Sequence, residues 1–536
     1  MCERKYSSAK AIDKNNIKVG ALMSEKSRIF AEITRINQLH NMKRTFLGLL
    51  FLGTMLGMNA QIERPRLVVG LVVDQMRWDY LYYYYDQFGE GGLKRLVDDG
   101  FSCENTMINY VPTVTAIGHS SVYTGSVPAL TGIAGNDFFI SGKQVYCCQD
   151  DDVQGVGSNG RAGKMSPKNL LASGIGDVLK IATDYKAKVI GVALKDRAAI
   201  LPAGHGADAA YWWDTEAGHY ISSTYYMKEL PQWAQRFNRE NQQTPGKDVK
   251  TSNEGISLTF KMAKAALENE RMGQDDITDL LAVSVSSTDA IGHKYGTRGK
   301  ENYEAYMELD RDLADFFEFL DRKVGKGNYL FFLTADHGAI HNYNLMRRHR
   351  IKADAYAAWD EVKRFNERYS AEHGFKPLLA ANADRIYIDR TAVRNAGADY
   401  DKIKREAMDF FSKNEKVYRV VDYENVQNTT LHQLLRERIV NGYNPERSGD
   451  FYVITKPGTV DATPDPNYIG TGHSVWNPYD SHIPLVFMGW HIDKGQTSIP
   501  TRIVDIAPTV CELLHIQMPN ACVGDAINEV IHPVRR

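Results

Sequence analysis

This chain of 536 residues has few cysteines, a small net charge and few long apolar runs. The six cysteines are scattered and form no Cys-x2-Cys pair, which argues against a zinc ribbon or a disulfide scaffold as the basis of the fold. The formal net charge of -2 gives no electrostatic case for binding nucleic acid or an anionic membrane surface. What remains is an ordinary globular composition, 43% apolar and 24% charged, in a chain long enough to bury a large core.

Residues 42–60 have the pattern of a secretory signal peptide. Residues 42–44 are a short basic segment, residues 46–58 are apolar, and Ala60 ends a small-residue cleavage site. The apolar stretch is too short for a membrane span. We therefore expect a periplasmic or secreted mature protein, residues 61–536, that has no stable membrane insertion.

Residues 1–41 are polar and precede this signal. Because signal peptides normally begin at the initiator, we interpret residues 1–41 as a non-native or untranslated extension, with Met42 as the true start. A cytoplasmic extension ahead of a signal anchor is the alternative. Five cysteines would remain after cleavage at Ala60, so at least one thiol would be unpaired.

Apolar runs alternate with amphipathic segments along the chain. Runs rich in Val, Leu and Phe, without polar alternation, predict buried strands at residues 66–73, 189–193, 280–285, 329–334 and 484–488. Apolar residues three and four apart predict helices at 301–322 and 503–514. This alternation predicts an α/β fold with a mainly parallel central sheet and helices on both faces.

Two segments do not follow the alternation. Residues 141–167 are rich in Gly, Asp and Ser, which indicates a loop or insertion. Residues 343–470 separate one group of candidate ligands from the next, and we interpret part of this segment as an inserted cap with a helix at 400–414.

Candidate metal ligands follow several of the apolar runs. Three carboxylates and three imidazoles can hold two divalent ions, and ligands of α/β sheets bind outside the carboxyl ends of the strands. Each residue has an ordinary structural explanation when taken singly, such as a cap, a turn or a solvated loop histidine. A chain that only mediates interactions is therefore an open alternative. The six residues are Asp74, Asp289, His293, Asp336, His337 and His473.

Thr115 is the candidate nucleophile. It precedes a predicted helix at residues 116–123, where the positive end of the helix dipole favours an alkoxide. A plain Thr N-cap is the alternative. Lys195 and Arg197 follow the predicted strand at 189–193. The ordinary explanation of such a pair of charges is a solvated strand end.

The order of these motifs resembles the alkaline phosphatase superfamily, and more narrowly the exported, threonine-nucleophile PafA-type alkaline phosphatases of bacteria. These are relatives of the nucleotide pyrophosphatase/phosphodiesterases. The resemblance extends from about residue 66 to about residue 514. It rests on Val73-Asp74, Thr115-Ala116-x-Gly118-His119, Thr124-Gly125-Ser126, Gly135-Asn136-Asp137, Asp289-x3-His293, Asp336-His337-Gly338 and Gly472-His473.

The resemblance implies an alkaline phosphatase-like fold with a site for two zinc ions. Mixed carboxylate and imidazole ligands suit zinc without excluding manganese or cobalt. The ligands would be Asp289, His293 and His473 for one ion, and Asp74, Asp336, His337 and the Thr115 oxygen for the other.

The resemblance also implies a reaction. Thr115 would attack phosphorus and form a phosphothreonine, while Asn136, Lys195 and Arg197 would surround the non-bridging phosphate oxygens. Two cations suit a dianionic phosphoryl group, so we expect a phosphate monoesterase acting on small phosphomonoesters. A phosphodiesterase or nucleotide pyrophosphatase on the same site, and a metal-binding protein without catalysis, are the alternatives. A sulfatase is disfavoured because no Cys- or Ser-x-Pro-x-Arg motif occurs at residues 113–119.

Overall fold

The computed structural model describes residue 23, residues 25–44 and residues 63–532. It contains two compact units, Met1–Glu63 and Arg64–Arg536. In the first unit, residues 25–44 are helical, which the sequence analysis did not predict. Most of the predicted signal peptide and its cleavage site lie outside the described residues. Among the described helices, none combines the length and apolarity that a bilayer crossing requires.

A ten-stranded mixed sheet forms the centre of the second unit, and we number its strands along the chain. In space the strands follow the order β10-β2-β9-β8-β1-β7-β4-β5-β6-β3. They are β1 Leu67–Val73, β2 Phe101–Cys103, β3 Gly155–Val156, β4 Val189–Ala193, β5 Ala209–Asp214, β6 His219–Ser223, β7 Asp279–Val285, β8 Tyr329–Thr334, β9 Leu485–Gly489 and β10 Gly495–Thr497.

Strand β1 is the middle of this sheet and is buried along its whole length. It pairs in parallel with β7 on one side and β8 on the other. A Cβ atom at Gly70 would overlap the Tyr123 hydroxyl and the Phe332 ring, so glycine is needed for this close packing. Burial on both faces explains why the run lacks polar alternation.

Helices cover the sheet in two groups. One group consists of Thr115–Thr124, Ile175–Ala182, Asp196–Ala203 and Ile506–Leu513, and the other contains Asn253–Asn269, Ser287–Tyr295 and Lys300–Leu320. The further helices are Tyr80–Tyr83, Leu93–Asp99, Pro128–Thr131, Gln232–Glu240, Tyr343–Arg348, Ala358–His373, Arg390–Asn395, Tyr400–Ser412, Gln433–Gly442, Pro478–Ser481 and Asn528–Ile531.

The inserted segment 343–470 has its own small sheet and apolar core. Four antiparallel strands lie in the order Leu378–Asn382, Arg385–Ile388, Phe451–Thr455 and Val417–Asp422. The predicted helix at 400–414 is observed as Tyr400–Ser412. Shorter strand pairs are Asp354–Tyr356 with Thr459–Asp461, Asp137–Ile140 with Lys143–Tyr146, and Thr106–Met107 with His482–Ile483 and Thr501–Arg502.

Two details differ from the sequence predictions. The run at 484–488 forms β9, which is antiparallel to its neighbour β8, so the sheet is mixed toward that edge. Segment 141–167 is not only loop, because it contains Lys143–Tyr146 and β3. Strands of two to four residues are too short to show a periodicity, which explains why the sequence did not reveal them.

Candidate active site

Three neighbouring parallel strands bring the candidate ligands to one edge of the sheet. Asp74 directly follows β1, and Asp336 lies two residues beyond β8. Asp289 and His293 lie on the helix Ser287–Tyr295, which begins two residues after β7. Because β7, β1 and β8 are parallel neighbours, their carboxyl ends meet at the same edge, as the sequence analysis expected.

The ligand atoms form two groups that share one histidine. In each group, the atoms that could bind a metal lie within 4.8 Å of one another. His337 Nε2 is 3.6 Å from Asp74 Oδ1 and 3.4 Å from Asp336 Oδ2. His473 Nε2 is 3.8 Å from Asp289 Oδ1. The first group is Asp74, Asp336 and His337, and the second is Asp289, His337 and His473.

His293 lies next to Asp289, with which it was grouped in the sequence analysis. Its Nε2 is 3.1 Å from Asp289 Oδ1, so it lies beside the second group. Within 4.8 Å, however, His337 rather than His293 completes that group. Asp289 raises the pKa of His293. The His337 and His473 rings stack with their centroids 3.7 Å apart. The assignment of His293 as a ligand therefore stays a prediction.

Three atoms of the first group are buried without a hydrogen-bond partner among the described residues. They are Asp74 Oδ1, Asp336 Oδ2 and His337 Nε2. An unsatisfied buried polar atom costs about 1–3 kcal/mol, and more when it is charged. These three atoms belong to one cluster, and a divalent cation would satisfy all of them together. The residues therefore fit a metal ion.

The three histidines present the same ring nitrogen to this cluster. In each ring Nδ1 lies within hydrogen-bonding distance of a backbone carbonyl, which directs Nε2 toward the carboxylates. Burial lowers the pKa of His473 and of His337, so both rings are neutral at neutral pH. A neutral ring that donates from Nδ1 keeps the Nε2 lone pair for a metal. The pairs are His293 with Thr471 at 3.0 Å, His337 with Gly338 at 3.0 Å and His473 with Thr113 at 2.7 Å.

Lys195 lies between the two groups. Its Nζ donates to Asp74 Oδ2 at 2.5 Å and to Asp289 Oδ2 at 2.6 Å. Burial opposes the charge on Lys195, but Asp289 and Asp74 outweigh it and raise the pKa of this lysine. Burial, together with Asp336, raises the pKa of Asp74. Lys195 thus balances one carboxylate from each group.

Gln75 fixes two of the carboxylates and His119 lies close to one of them, and the sequence analysis did not assign either residue a role. The Gln75 backbone N–H donates to Asp336 Oδ1 at 3.1 Å, and its Nε2 donates to Asp289 Oδ1 at 2.5 Å. Gln75 has a φ of 65°, an uncommon left-handed conformation for this residue type. His119 Nδ1 is 3.2 Å from Asp336 Oδ2. His119 is part of a quoted motif, whereas only its position next to Asp74 could have signalled Gln75.

Thr115 is the first residue of the helix Thr115–Thr124 and is 1% exposed. The backbone carbonyl of Thr115 is 2.9 Å from His119 Nδ1. Asn136 Oδ1 accepts a hydrogen bond from the Ala116 N–H at 2.9 Å, which places Asn136 at the same helix start. A Cβ atom at Gly118 would overlap Asp336, so glycine allows this helix to lie against the segment that carries Asp336.

Arg197 lies in the first turn of the helix Asp196–Ala203, two residues after Lys195. Its Nη1 donates to Tyr146 Oη at 3.0 Å, and Tyr146 Oη in turn donates to Asp196 Oδ1. Arg197 Nε is buried and has no hydrogen-bond partner among the described residues. One edge of the guanidinium is therefore fixed by the protein, and a donor is left for another group.

The chain is similar to a known enzyme family over most of its length. The family model Type I phosphodiesterase / nucleotide pyrophosphatase matches residues 68–474. The alkaline phosphatase PafA of Elizabethkingia meningoseptica is 43% identical, over 91% of this chain and 99% of that protein. A Myroides odoratus protein named calcium-transporting ATPase is also 43% identical, over 88% of this chain and 95% of its own length.

A crystal structure of wild-type PafA superimposes with a TM-score of 0.84 at 42% sequence identity, over 88% of this chain and 99% of that one. These matches confirm the alkaline phosphatase-like α/β fold and the enzyme class that the motifs predicted. The chain belongs to the Type I phosphodiesterase / nucleotide pyrophosphatase family and, within it, to the PafA-like alkaline phosphatases.

Proposed function

We propose that the protein is an exported, metal-dependent phosphate monoesterase that acts on small phosphomonoesters through a phosphothreonine at Thr115. The observation that carries this proposal is the arrangement of two buried ligand groups around Lys195, beside the helix that begins at Thr115. The export is supported by the signal-like residues 42–60. With a net charge of -2, we expect no nucleic-acid partner.

We propose two zinc ions as the metals, because both groups combine carboxylates with neutral imidazoles. Asp74, Asp336 and His337 would hold one ion together with the Thr115 oxygen, and Asp289, His293 and His473 would hold the other. Bound ions would supply Lewis acidity toward phosphate oxygens and would lower the pKa of a coordinated hydroxyl group. Burial and the carbonyl contacts keep the His337 and His473 rings ready to accept an ion.

Thr115 is positioned as a nucleophile by its surroundings. Its hydroxyl lies at the positive end of a helix dipole, which favours the alkoxide form. His473 contacts the carbonyl of Thr113, and His119 contacts that of Thr115, so two histidines help to hold the segment that carries Thr115. In the proposed reaction, Thr115 Oγ1 forms a bond to phosphorus while the bond to the leaving oxygen breaks. Water then hydrolyses the phosphothreonine and releases phosphate.

Asn136, Lys195 and Arg197 are proposed to hold the non-bridging phosphate oxygens. A solved variant of PafA carries substitutions of a Thr, an Asn, a Lys and an Arg. The Thr and Asn there are 21 residues apart, as are Thr115 and Asn136, and the Lys and Arg are two apart, like Lys195 and Arg197. This correspondence supports the choice of the four residues.

The alternative is a phosphodiesterase or nucleotide pyrophosphatase on the same metal site, as the name of the family model allows. A diester carries one negative charge and a second organic group. The single charge of such a substrate would leave one of the two cations, Lys195 or Arg197, without a matching negative charge. A dianionic monoester matches both cations. The two side chains therefore favour the monoesterase.

Thr115→Ala is expected to abolish turnover of phenyl phosphate, because no other group at the helix start can form the covalent intermediate. Thr115→Ser should keep activity within about tenfold, since it loses only a methyl group. Steady-state kinetics and acid trapping of the phosphorylated parent protein, followed by mass spectrometry, check both variants. Full activity in Thr115→Ala would refute the assignment of the nucleophile.

The shared histidine predicts a difference in metal content. His337→Ala should reduce the bound zinc from about two ions per chain toward none, because His337 would hold one ion directly and its ligand atom also lies within 4.8 Å of those of Asp289 and His473, which would hold the other. His473→Ala should remove about one ion, because His473 belongs to one group. Elemental analysis of the purified proteins makes the comparison. His373→Ala, an exposed histidine of the inserted segment, is the control and should retain both ions. Equal losses in the two site variants would contradict a shared role for His337.

Arg197→Ala should lower kcat/KM for phenyl phosphate. The expected loss of transition-state stabilisation is roughly 2–4 kcal/mol, which is typical of one charged, buried contact. Activity on a matched diester, methyl phenyl phosphate, should change much less, because the diester lacks the second charge. In the double variant with Lys195→Ala, the loss of monoester activity should exceed the loss of diester activity by a larger factor.

Lys195 also contacts two ligand carboxylates, so the zinc content of each variant has to be measured alongside the kinetics. Arg239→Ala, an exposed arginine on another helix, should leave both activities unchanged. If monoester and diester activities fall by the same factor, the preference for monoesters loses its main support.

A further inference from the structure

A cavity of about 310 Å³ adjoins the two proposed phosphate-binding cations. Lys195 and Arg197 form part of its wall, and Trp212 and Trp213 line another part. Lys250, from the loop before the helix Asn253–Asn269, also lines it. The cavity therefore holds a third cation beside the place where the transferred phosphoryl group would bind.

Lys250 is partly buried, yet no described residue pairs with its Nζ or accepts a hydrogen bond from it. By contrast, exposed Lys247 in the same loop pairs with Glu254 at 2.5 Å. Burial lowers the pKa of Lys250, and although Asp196 works in the opposite direction, Arg197 and Lys195 lower it further. Keeping an unpaired cation in such a place is costly, which points to a partner that comes from outside the protein.

The carboxylates around the cavity do not serve as that partner. Asp196 accepts hydrogen bonds from the Tyr146 hydroxyl and from the Arg197 N–H. Asp214 accepts from the Ser158 hydroxyl and from the Glu216 N–H. In the described part of the chain, neither of these carboxylates nor the exposed Glu216 forms an ion pair or a hydrogen bond with Lys250. An anionic group of a ligand is the remaining complement for Lys250.

We infer that Lys250 is a specificity-determining residue that binds a second anionic group, a carboxylate or a phosphate, carried by the leaving group of the substrate. This inference rests on the proposed monoesterase function. The transferred phosphoryl group already has Lys195, Arg197 and Asn136 for its three non-bridging oxygens. A third cation in the adjoining cavity would add selectivity for phosphomonoesters with a further negative charge.

The test compares phenyl phosphate with the ortho-, meta- and para-carboxyphenyl phosphates, which differ from it by one carboxylate. Lys250→Met keeps the length of the side chain and removes its charge. For at least one carboxylated substrate, Lys250→Met should lower kcat/KM about tenfold more than for phenyl phosphate, as expected for a charge-assisted hydrogen bond. Because each substrate is compared between two proteins, differences in leaving-group reactivity cancel. Lys250→Arg should restore much of the selectivity.

Lys247→Met is the matched control in the same loop and should leave both kinds of substrate unaffected. An equal loss on all four substrates would overturn the inference, since Lys250 would then act on the transferred phosphoryl group or on the structure. Unchanged kinetics in Lys250→Met would also overturn it.

Binding of the same four compounds to the Thr115→Ala protein, measured by calorimetry with and without Lys250→Met, separates this inference from the proposed function. If the parent protein fails to hydrolyse phenyl phosphate, the monoesterase proposal fails. The role of Lys250 is then decided by whether Lys250→Met selectively weakens binding of a carboxylated compound by about tenfold.

Discussion

Mutual repulsion among three buried carboxylates is the constraint on which this site depends. Asp74 and Asp336 follow β1 and β8, and Asp289 lies on the helix that follows β7. All three are buried, and a low dielectric strengthens the interaction between like charges. Lys195 relieves part of this repulsion by contacting two of the three. In the proposed enzyme, bound cations would take over the balancing of Asp74 and Asp289. The Lys195 ammonium group would then be available to a phosphate oxygen, which reconciles its observed contacts with its proposed role.

The scaffold holds these charges in place through many small contacts. The apolar core around β1 fixes the strand ends, and Gly118 lets the nucleophile helix approach Asp336. Gln75 links a carboxylate of one ligand group to a carboxylate of the other. Carbonyl contacts set the orientation of each site histidine. Such preorganisation means that little rearrangement is needed when ions and substrate bind.

The sequence predicted those parts of the fold whose signals are long and local. The strands at 189–193 and 329–334 match the structure residue for residue, because both are buried runs of five or six residues between clear breaks. An apolar run carries no information about direction, so the antiparallel orientation of β9 could not be predicted. Local patterns also do not show which strands of the inserted segment pair to form its small sheet.

The candidate site was predictable as a set of residues and less so as a geometry. The ligands and Thr115 follow from their order along the chain, but the position of His337 between both groups depends on ring orientations that only the folded chain fixes. Gln75 and Lys250 belong to residue types that are common on surfaces. Gln75 stands out by a contact between segments far apart in sequence, and Lys250 by its place in the wall of a cavity, and no local spacing indicates either.

In the proposed enzyme, most of the cations that would set substrate specificity lie apart from the candidate metal ligands. Most of the candidate metal ligands follow β1, β7 and β8, and His473 comes from a later loop. Lys195 and Arg197 instead follow β4, and Lys250 comes from a separate loop. Changes in those cations could alter the charge of the preferred substrate without disturbing the metal groups, with the exception of Lys195. Because Lys195 contacts Asp74 and Asp289, in the proposed enzyme it would link the choice of substrate to the stability of the metal site, and we expect it to tolerate substitution least of the three.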